Sequence, residues 1–162
     1  MFAAPPICNL LVIRSPGIDR AVTFYEAMGL TFEKHSHGNG PEHYASEMCG
    51  FVFEIYPARN AGENTTTARI GFNVDDVDSV VAMVCDVGGT VRFKPNDTEW
   101  GRRAVVHDID GHIVELTTPP NREQRILADH NARTPDGGQP SDAPERRWLA
   151  FSFSYKSFAA AR

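Results

Sequence analysis

Positive charge is in short supply along this 162-residue chain: 16 lysines and arginines stand against 21 aspartates and glutamates, a formal net charge of −5, with no basic run anywhere. That removes the electrostatic footprint by which proteins hold a phosphate backbone, so nucleic acid is not expected as a partner. Long apolar runs are missing too. None approaches the ~18 residues of a membrane span, and the N-terminal MFAAPPICNLL is too short and uncharged for a secretory signal. The expectation is a cytoplasmic protein that makes no membrane contact. Cysteine is scarce: Cys8, Cys49 and Cys85 form an odd set with no C-x-x-C spacing. Buried thiols in a reducing compartment are expected rather than a disulfide framework. The partners that remain are a small-molecule ligand and a second copy of the chain, as a homodimer.

What the chain does have is an internal repeat. Residues 7–57 and 68–119 share one order of elements: an apolar strand, an acidic turn, an amphipathic helix, a glycine, then further strands. Each half closes on a strand with one glutamate, Glu54 and Glu115, and the spacing from Asn9 to Glu54 matches that from Arg69 to Glu115 to within one residue. This predicts two tandem βαβββ modules in an α+β fold, a curved mixed sheet around a cavity. The length allows one domain with a real core, assigned to residues 1–119, and neither module should be stable alone.

In module one, NLLVIR reads as a strand, and SPGID turns into a helix whose apolar positions Ala21, Val22, Phe24, Tyr25 and Met28 recur at helical spacing until Gly29. LTFEKHS, EHYASEM and FVFEIYP follow as a meander, and residues 58–67 form a polar linker. Module two repeats the plan with RIGFNV, a helix over residues 77–87 stopped by Gly88-Gly89, then TVRFKP, RRAVVHD and HIVELTT. Strand alternation puts Ile70, Phe72 and Val74 toward the helix and Arg69, Gly71 and Asn73 on the opposite, cavity-facing side. The same alternation sets Glu54 and Glu115 apart from the apolar Phe53, Ile55, Val114 and Leu116. The alternative for each glutamate is a solvated residue on an edge strand.

The phrases LLVIRSPGIDRAVTFYEAMGL, its echo GFNVDDVDSVV, EWGRR and DIDGHIVEL resemble the vicinal-oxygen-chelate superfamily, which includes glyoxalase I, bleomycin-resistance proteins and extradiol dioxygenases. The resemblance covers residues 7–119. It implies a site usually completed by dimerisation and, in enzymatic members, a divalent metal (Ni, Zn, Mn or Fe) held by the first and last strands of each module. The last-strand carboxylates are present as Glu54 and Glu115. The first-strand positions, normally His or Gln in the family, fall on Asn9 or Leu10 and on Arg69. An arginine has no lone pair to donate and would repel a cation. Arg69 is therefore read as a built-in cation held between Glu54 and Glu115, with no metal cofactor favoured; the alternative is an Arg69 that reaches into solvent.

Histidine offers a second route to a metal, through His43 with Glu54 and Glu115. His35 and His37 lie beside the Gly38 turn, and His112 alternates away from Glu115, so these three are set aside; His107 is expected to meet water. Trp100 with Arg102 or Arg103 could clamp a planar or anionic ligand, and Tyr44 and Tyr56 could orient it. Asn9 and Asn73 complete the expected binding set. Residues 120–162 read as an extended or partly disordered tail with one strand-like stretch, WLAFSFSYKSF. The favoured function is metal-free binding or sequestration of a small molecule. The alternatives are a divalent-metal-dependent lyase or isomerase resembling glyoxalase I, or a related dioxygenase; a metal-free variant of that enzyme with Arg69 as electrophile and Glu54 or Glu115 as base; and a non-catalytic interaction protein.

Overall fold

The computed structural model describes residues 6–60 and 62–120. The expectations for the tail from residue 121 onward lie outside the described residues. Element order is β1 (Leu10–Ser15), α1 (Ile18–Ala27), β2 (Glu33–His35), β3 (His43–Met48), β4 (Phe51–Pro57), then β5 (Arg69–Asn73), α2 (Val77–Asp86), β6 (Thr90–Thr98), β7 (Gly101–His107) and β8 (Ile113–Thr118). This is the βαβββ plan twice. The strands form two four-stranded sheets ordered β1-β4-β3-β2 and β5-β8-β7-β6, with the first and last strand of each module parallel and the rest antiparallel.

The two helices end by the same device. Gly29 takes φ 100°, with its amide on Glu26 O and the Leu30 amide on Tyr25 O; Gly88 takes φ 102°, with its amide on Cys85 O and the Gly89 amide on Val84 O. Each is a Schellman motif, whose left-handed residue favours glycine. The modules differ one residue later. Leu30 follows the first stop, but a Cβ at Gly89 would lie 2.6 Å from Phe24 Cε2, so α1 packs where a side chain would otherwise stand. The helix starts differ as well: Asp76 caps α2 through the amides of Asp78 and Ser79, whereas α1 begins at Gly17 with no side-chain cap.

The core lies between the helices and one face of each sheet. Ala21, Val22, Phe24, Tyr25 and Met28 are buried, as their spacing predicts, together with Ile13, Phe53, Ile55, Ile70, Val114 and Leu116. Tyr25 joins the modules. Its ring meets Phe53 edge-on at 4.8 Å between centroids and lies 6.1 Å from Phe72 of module two. Burying this many large side chains at once drives the association, since each contributes roughly 1.5–3 kcal/mol when removed from water. The opposite face of each sheet stays open, and that is where Glu54 and Glu115 project.

The cysteines depart from the expectation of burial. Cys8 and Cys49 are exposed and Cys85 is half-buried. Cys49 and Gly50 form the two-residue turn between β3 and β4, both with positive φ (52° and 82°), and the turn must project from the sheet.

Candidate functional site

Register assigns the open face of module one. Ala45 pairs with Glu54 and Glu33 with Ala45, His35 pairs with His43, and Leu10, Val12 and Arg14 pair with Val52, Glu54 and Tyr56. These residues share one face. Thr31, Glu33, His35, His37, His43, Ala45, Glu47, Val52 and Glu54 line a hollow of about 470 Å³ there. His43 is buried, stacked on Tyr56 at 4.0 Å between ring centroids, and Arg14 covers the Tyr56 ring at 5.0 Å. His43 Nδ1 lies 3.3 Å from Pro41 O, and Nε2 stands 3.9 Å from Glu54 Oε1.

The open face of module two carries an ion-paired cluster. Arg69 Nη2 lies 2.6 Å from Glu115 Oε2, and Arg103 binds the same carboxylate through two nitrogens, at 2.6 and 3.0 Å. Arg103 reaches it because its partner across β7 and β8 is Thr117, two residues from Glu115 on the same face. The Arg103 hydrogen bonds hold the Glu115 pKa below its ordinary value despite partial burial, and Arg69 adds to the effect. Arg103 is correspondingly raised by Glu115.

The sequence-derived set is therefore divided. Glu54, His43 and Tyr56 come together on module one; Arg69, Arg103 and Glu115 come together on module two. Arg69 pairs with Glu115, while the carboxylate of Glu54 faces His43. Arg102 projects elsewhere, bound to Asp78 of α2 (Nη2 to Oδ1, 2.8 Å) and to Asp97 at 3.1 Å. Trp100 stands in the β6–β7 turn, 67% exposed. Asn73 lines a separate hollow of about 290 Å³ between the modules with Leu30, Met48 and Phe72. Asn9 precedes β1, exposed, its carbonyl accepting from the Val52 amide. Tyr44 turns the other way, its hydroxyl donating to Asp19 at 2.7 Å on the helix side.

Register also decides between Asn9 and Leu10. Arg69 pairs with the residue two before Glu115, and Leu10 pairs with the residue two before Glu54, so Leu10 is the module-one counterpart of Arg69. The four positions the family would use for a metal are thus Leu10, Glu54, Arg69 and Glu115. A leucine offers no donor atom. Both oxygens of Glu115 are already taken by guanidinium groups. This donor set does not fit a divalent ion.

A further cluster was hidden in the phrase DIDGH. Asp108, Asp110 and His112 bring candidate ligand atoms within 4.8 Å of one another. Asp108 Oδ1 accepts from the amides of Asp110 (3.0 Å) and His112 (2.8 Å); Oδ2 accepts from Tyr25 Oη (3.0 Å) and faces His112 Nδ1 (2.8 Å). His112 Nε2 meets Thr65 Oγ1 at 2.7 Å, and that oxygen accepts from the Arg14 amide at 2.9 Å. A neutral imidazole with Nδ1–H satisfies every member of this chain. Burial raises the pKa of Asp108 and of Tyr25, but hydrogen bonds from the His112 ring and amide and from the Asp110 amide bring Asp108 below its ordinary value while the anion pushes Tyr25 further up. The order hydroxyl, imidazole, carboxylate is that of a nucleophile triad. Here the His112 and Asp108 side chains are wholly buried. They tie the linker, β1 and α1 to the turn before β8, which is a structural lock. The signal for it was an aspartate and a histidine either side of a D-G turn.

A family model described as the Glyoxalase/Bleomycin resistance protein/Dioxygenase superfamily matches residues 8–116. Similar solved structures include TnmS3, an antibiotic binding protein from Streptomyces sp. CB03234, at 23% identity and TM-score 0.58, covering 74% of this chain and 100% of that one. A glyoxalase/bleomycin resistance protein/dioxygenase family enzyme from Burkholderia phytofirmans PsJN follows at 17% identity and TM-score 0.56, covering 69% and 98%. A glyoxalase-related enzyme from Fulvimarina pelagi matches at 20% and 0.56, covering 70% and 88%. Among curated proteins none matches the chain significantly. The structural likenesses carry the repeated βαβββ architecture, the family match spans both modules, and the chain belongs to the glyoxalase/bleomycin resistance/dioxygenase superfamily.

Proposed function

We propose that this protein binds and sequesters a small molecule on its open sheet faces, without a divalent ion at the four family ligand positions. The observation that carries this reading is the double guanidinium grip of Arg69 and Arg103 on Glu115. A carboxylate so engaged is neither a free metal ligand nor an effective general base, because the same contacts lower its pKa away from neutrality. The lyase reading with Arg69 as electrophile and Glu115 as base is disfavoured by that argument; the version with Glu54 as base is untouched by it. The module-one hollow brings Glu33, Glu47 and Glu54 beside the stacked His43 and Tyr56. That combination suits a cationic compound with a planar group, and antibiotic binding by TnmS3 on the same fold supports the class.

The binding unit is a homodimer in this reading. Each chain offers two half-sites on separate sheets, and exposed Leu10, Phe93 and Trp100 would gain from cover by a second copy. Among the described residues no helix is long and apolar enough to cross a membrane; the cytoplasm is the proposed location.

The test is a ligand screen by thermal melting on untagged protein, with cationic aromatic compounds, beside a glyoxalase I assay with and without nickel, zinc, manganese or iron. A melt raised by binders, with no turnover, is the expected result. Metal-dependent turnover lost in Glu115→Ala would overturn the reading, and sedimentation as a monomer at micromolar concentration would overturn the dimer.

A further inference from the structure

Three of the six histidines fall within nine residues, His35, His37 and His43, and the fold gathers them on one face. Ring centroids are 6.1 Å apart for His35 and His37, 6.0 Å for His35 and His43, and 5.2 Å for His37 and His43. Imidazoles sharing one tetrahedral ion, with metal–nitrogen bonds of about 2.0–2.1 Å, have centroids roughly 5 Å apart. The trio is close to that spacing.

His43 supplies an independent observation. It is 1% exposed, and its Nε2 is buried with no hydrogen-bond partner. Leaving a buried acceptor unpaired costs about 1–3 kcal/mol, so such an atom calls for an explanation. Its other nitrogen, Nδ1, faces the Pro41 carbonyl at 3.3 Å. A carbonyl can only accept, so Nδ1 carries the proton and Nε2 presents a bare lone pair. This is the arrangement by which a backbone oxygen orients a metal-binding histidine. The lone pair stands 3.9 Å from Glu54 Oε1, too far for a hydrogen bond and within the roughly 4 Å that two donors about 2.1 Å from one ion can span.

We propose that module one holds a site for a divalent transition metal such as zinc, ligated by His43 Nε2, His37, His35 and Glu54. The site lies on β2, the β2–β3 turn, β3 and β4, and shares with the family pattern only the β4 glutamate. It therefore needs neither Leu10 nor Arg69, and neither module two nor a partner chain. Three imidazoles and a carboxylate suit zinc, nickel or copper over magnesium or calcium. Glu33 and Glu47 on the same hollow add the negative field that concentrates a dication. Among the described residues the candidate ligand atoms of this set do not yet converge within 4.8 Å, as those of Asp108, Asp110 and His112 do. Closure falls to the more exposed His35 and His37, which both precede Gly38 of the β2–β3 turn, a residue at φ 57°. His43 and Glu54 are the preset half, and the turn brings the other half.

The experiment uses the full chain, tag removed and stripped with chelator, titrated with cobalt(II) by visible absorption and with zinc(II) by calorimetry. One ion per chain, a tetrahedral cobalt spectrum displaced by zinc, and at least tenfold weaker binding in His37→Asn and in His35→Asn are expected. Both substitutions are at exposed or half-exposed rings, so their apo melts should match the parent. His107→Asn should bind as the parent does. No stoichiometric uptake, or uptake unaffected in the His35→Asn, His37→Asn double variant, overturns the proposal; in the latter case the ion sits elsewhere. Because the ion and a cationic compound would share Glu54 and His43, the small-molecule screen is run on the chelator-stripped protein, where metal uptake and ligand binding are separate readouts and either proposal can fail alone.

Discussion

Replacing Asp108 by asparagine isolates the buried lock that joins the modules. The carboxylate accepts from the Tyr25 hydroxyl, the His112 ring and the amides of Asp110 and His112. An asparagine has one carbonyl oxygen. If it keeps the two amides, its NH₂ faces Tyr25 Oη and His112 Nδ1. The Tyr25 hydroxyl can turn to accept, but the ring must move its proton to Nε2, which deprives the Thr65 hydroxyl proton of its acceptor while Thr65 Oγ1 still accepts from the Arg14 amide. The substitution thus removes one charge-assisted hydrogen bond and frustrates the chain beyond it. At about 1.5–3 kcal/mol for the first and about 1 for the second, the expected loss is about 2.5–4 kcal/mol. That corresponds to a melting temperature lower by roughly 10 °C for a domain of this size. Because the folded-state pKa of Asp108 lies below its unfolded value, the carboxylate's contribution is fully present above about pH 4 and is lost as pH falls through the folded value. Urea denaturation of parent and variant from pH 7 to pH 3 measures it. The difference should stay level down to about pH 5 and narrow only below about 4. A loss under about 0.5 kcal/mol at pH 7, or a difference already fading between pH 7 and 5, would refute the argument.

Gly89→Ala should cost about 1–3 kcal/mol in urea denaturation, because its Cβ would meet Phe24 Cε2 at 2.6 Å and Val84 O at 2.8 Å in a packed core; an unchanged midpoint would mean α1 yields freely there. Cys49→Asn should leave stability unchanged or raise it by up to about 1 kcal/mol, since asparagine suits the first positive-φ position of a two-residue hairpin turn better than cysteine does. A clearly lower melt would show that the cysteine side chain contributes more than the turn gains. Glu115→Gln should leave the fold intact but replace the anion shared by Arg69 and Arg103 with a neutral amide that keeps one accepting oxygen. Binding of a cationic ligand in the module-one hollow should then change little, whereas Glu54→Gln should weaken it several-fold, most visibly at low salt; unchanged affinity in Glu54→Gln would place the ligand away from module one.

The repeat was legible because each module is built from local rules: helical spacing in α1, glycines at both helix stops, and alternation in β5 and β8 that separates Phe72 from Arg69 and Leu116 from Glu115. Residue types at family positions were legible for the same reason. Pairing was not: of the two carboxylates expected beside Arg69 it is Glu115 that meets it, while Glu54 faces His43. Arg103 grips Glu115 only because β7 and β8 align Arg103 with Thr117, and a register is a property of two strands. The burial of His43, its stacking on Tyr56 and its unpaired Nε2 likewise depend on β3 lying against β4, and the DIDGH turn became a lock only when Tyr25 arrived from α1.

The sequence by itself determined the two modules, their helices and which side of each strand is polar, because dihedral preference and 3.6- or 2-residue periodicity act within a few residues. Tertiary structure alone decided that the two family glutamates sit on different sheets with different partners, one beside an orphaned imidazole and one between two guanidiniums. Charge and lone-pair chemistry depend on separations of a few ångströms between residues far apart in the chain, and only packing sets those.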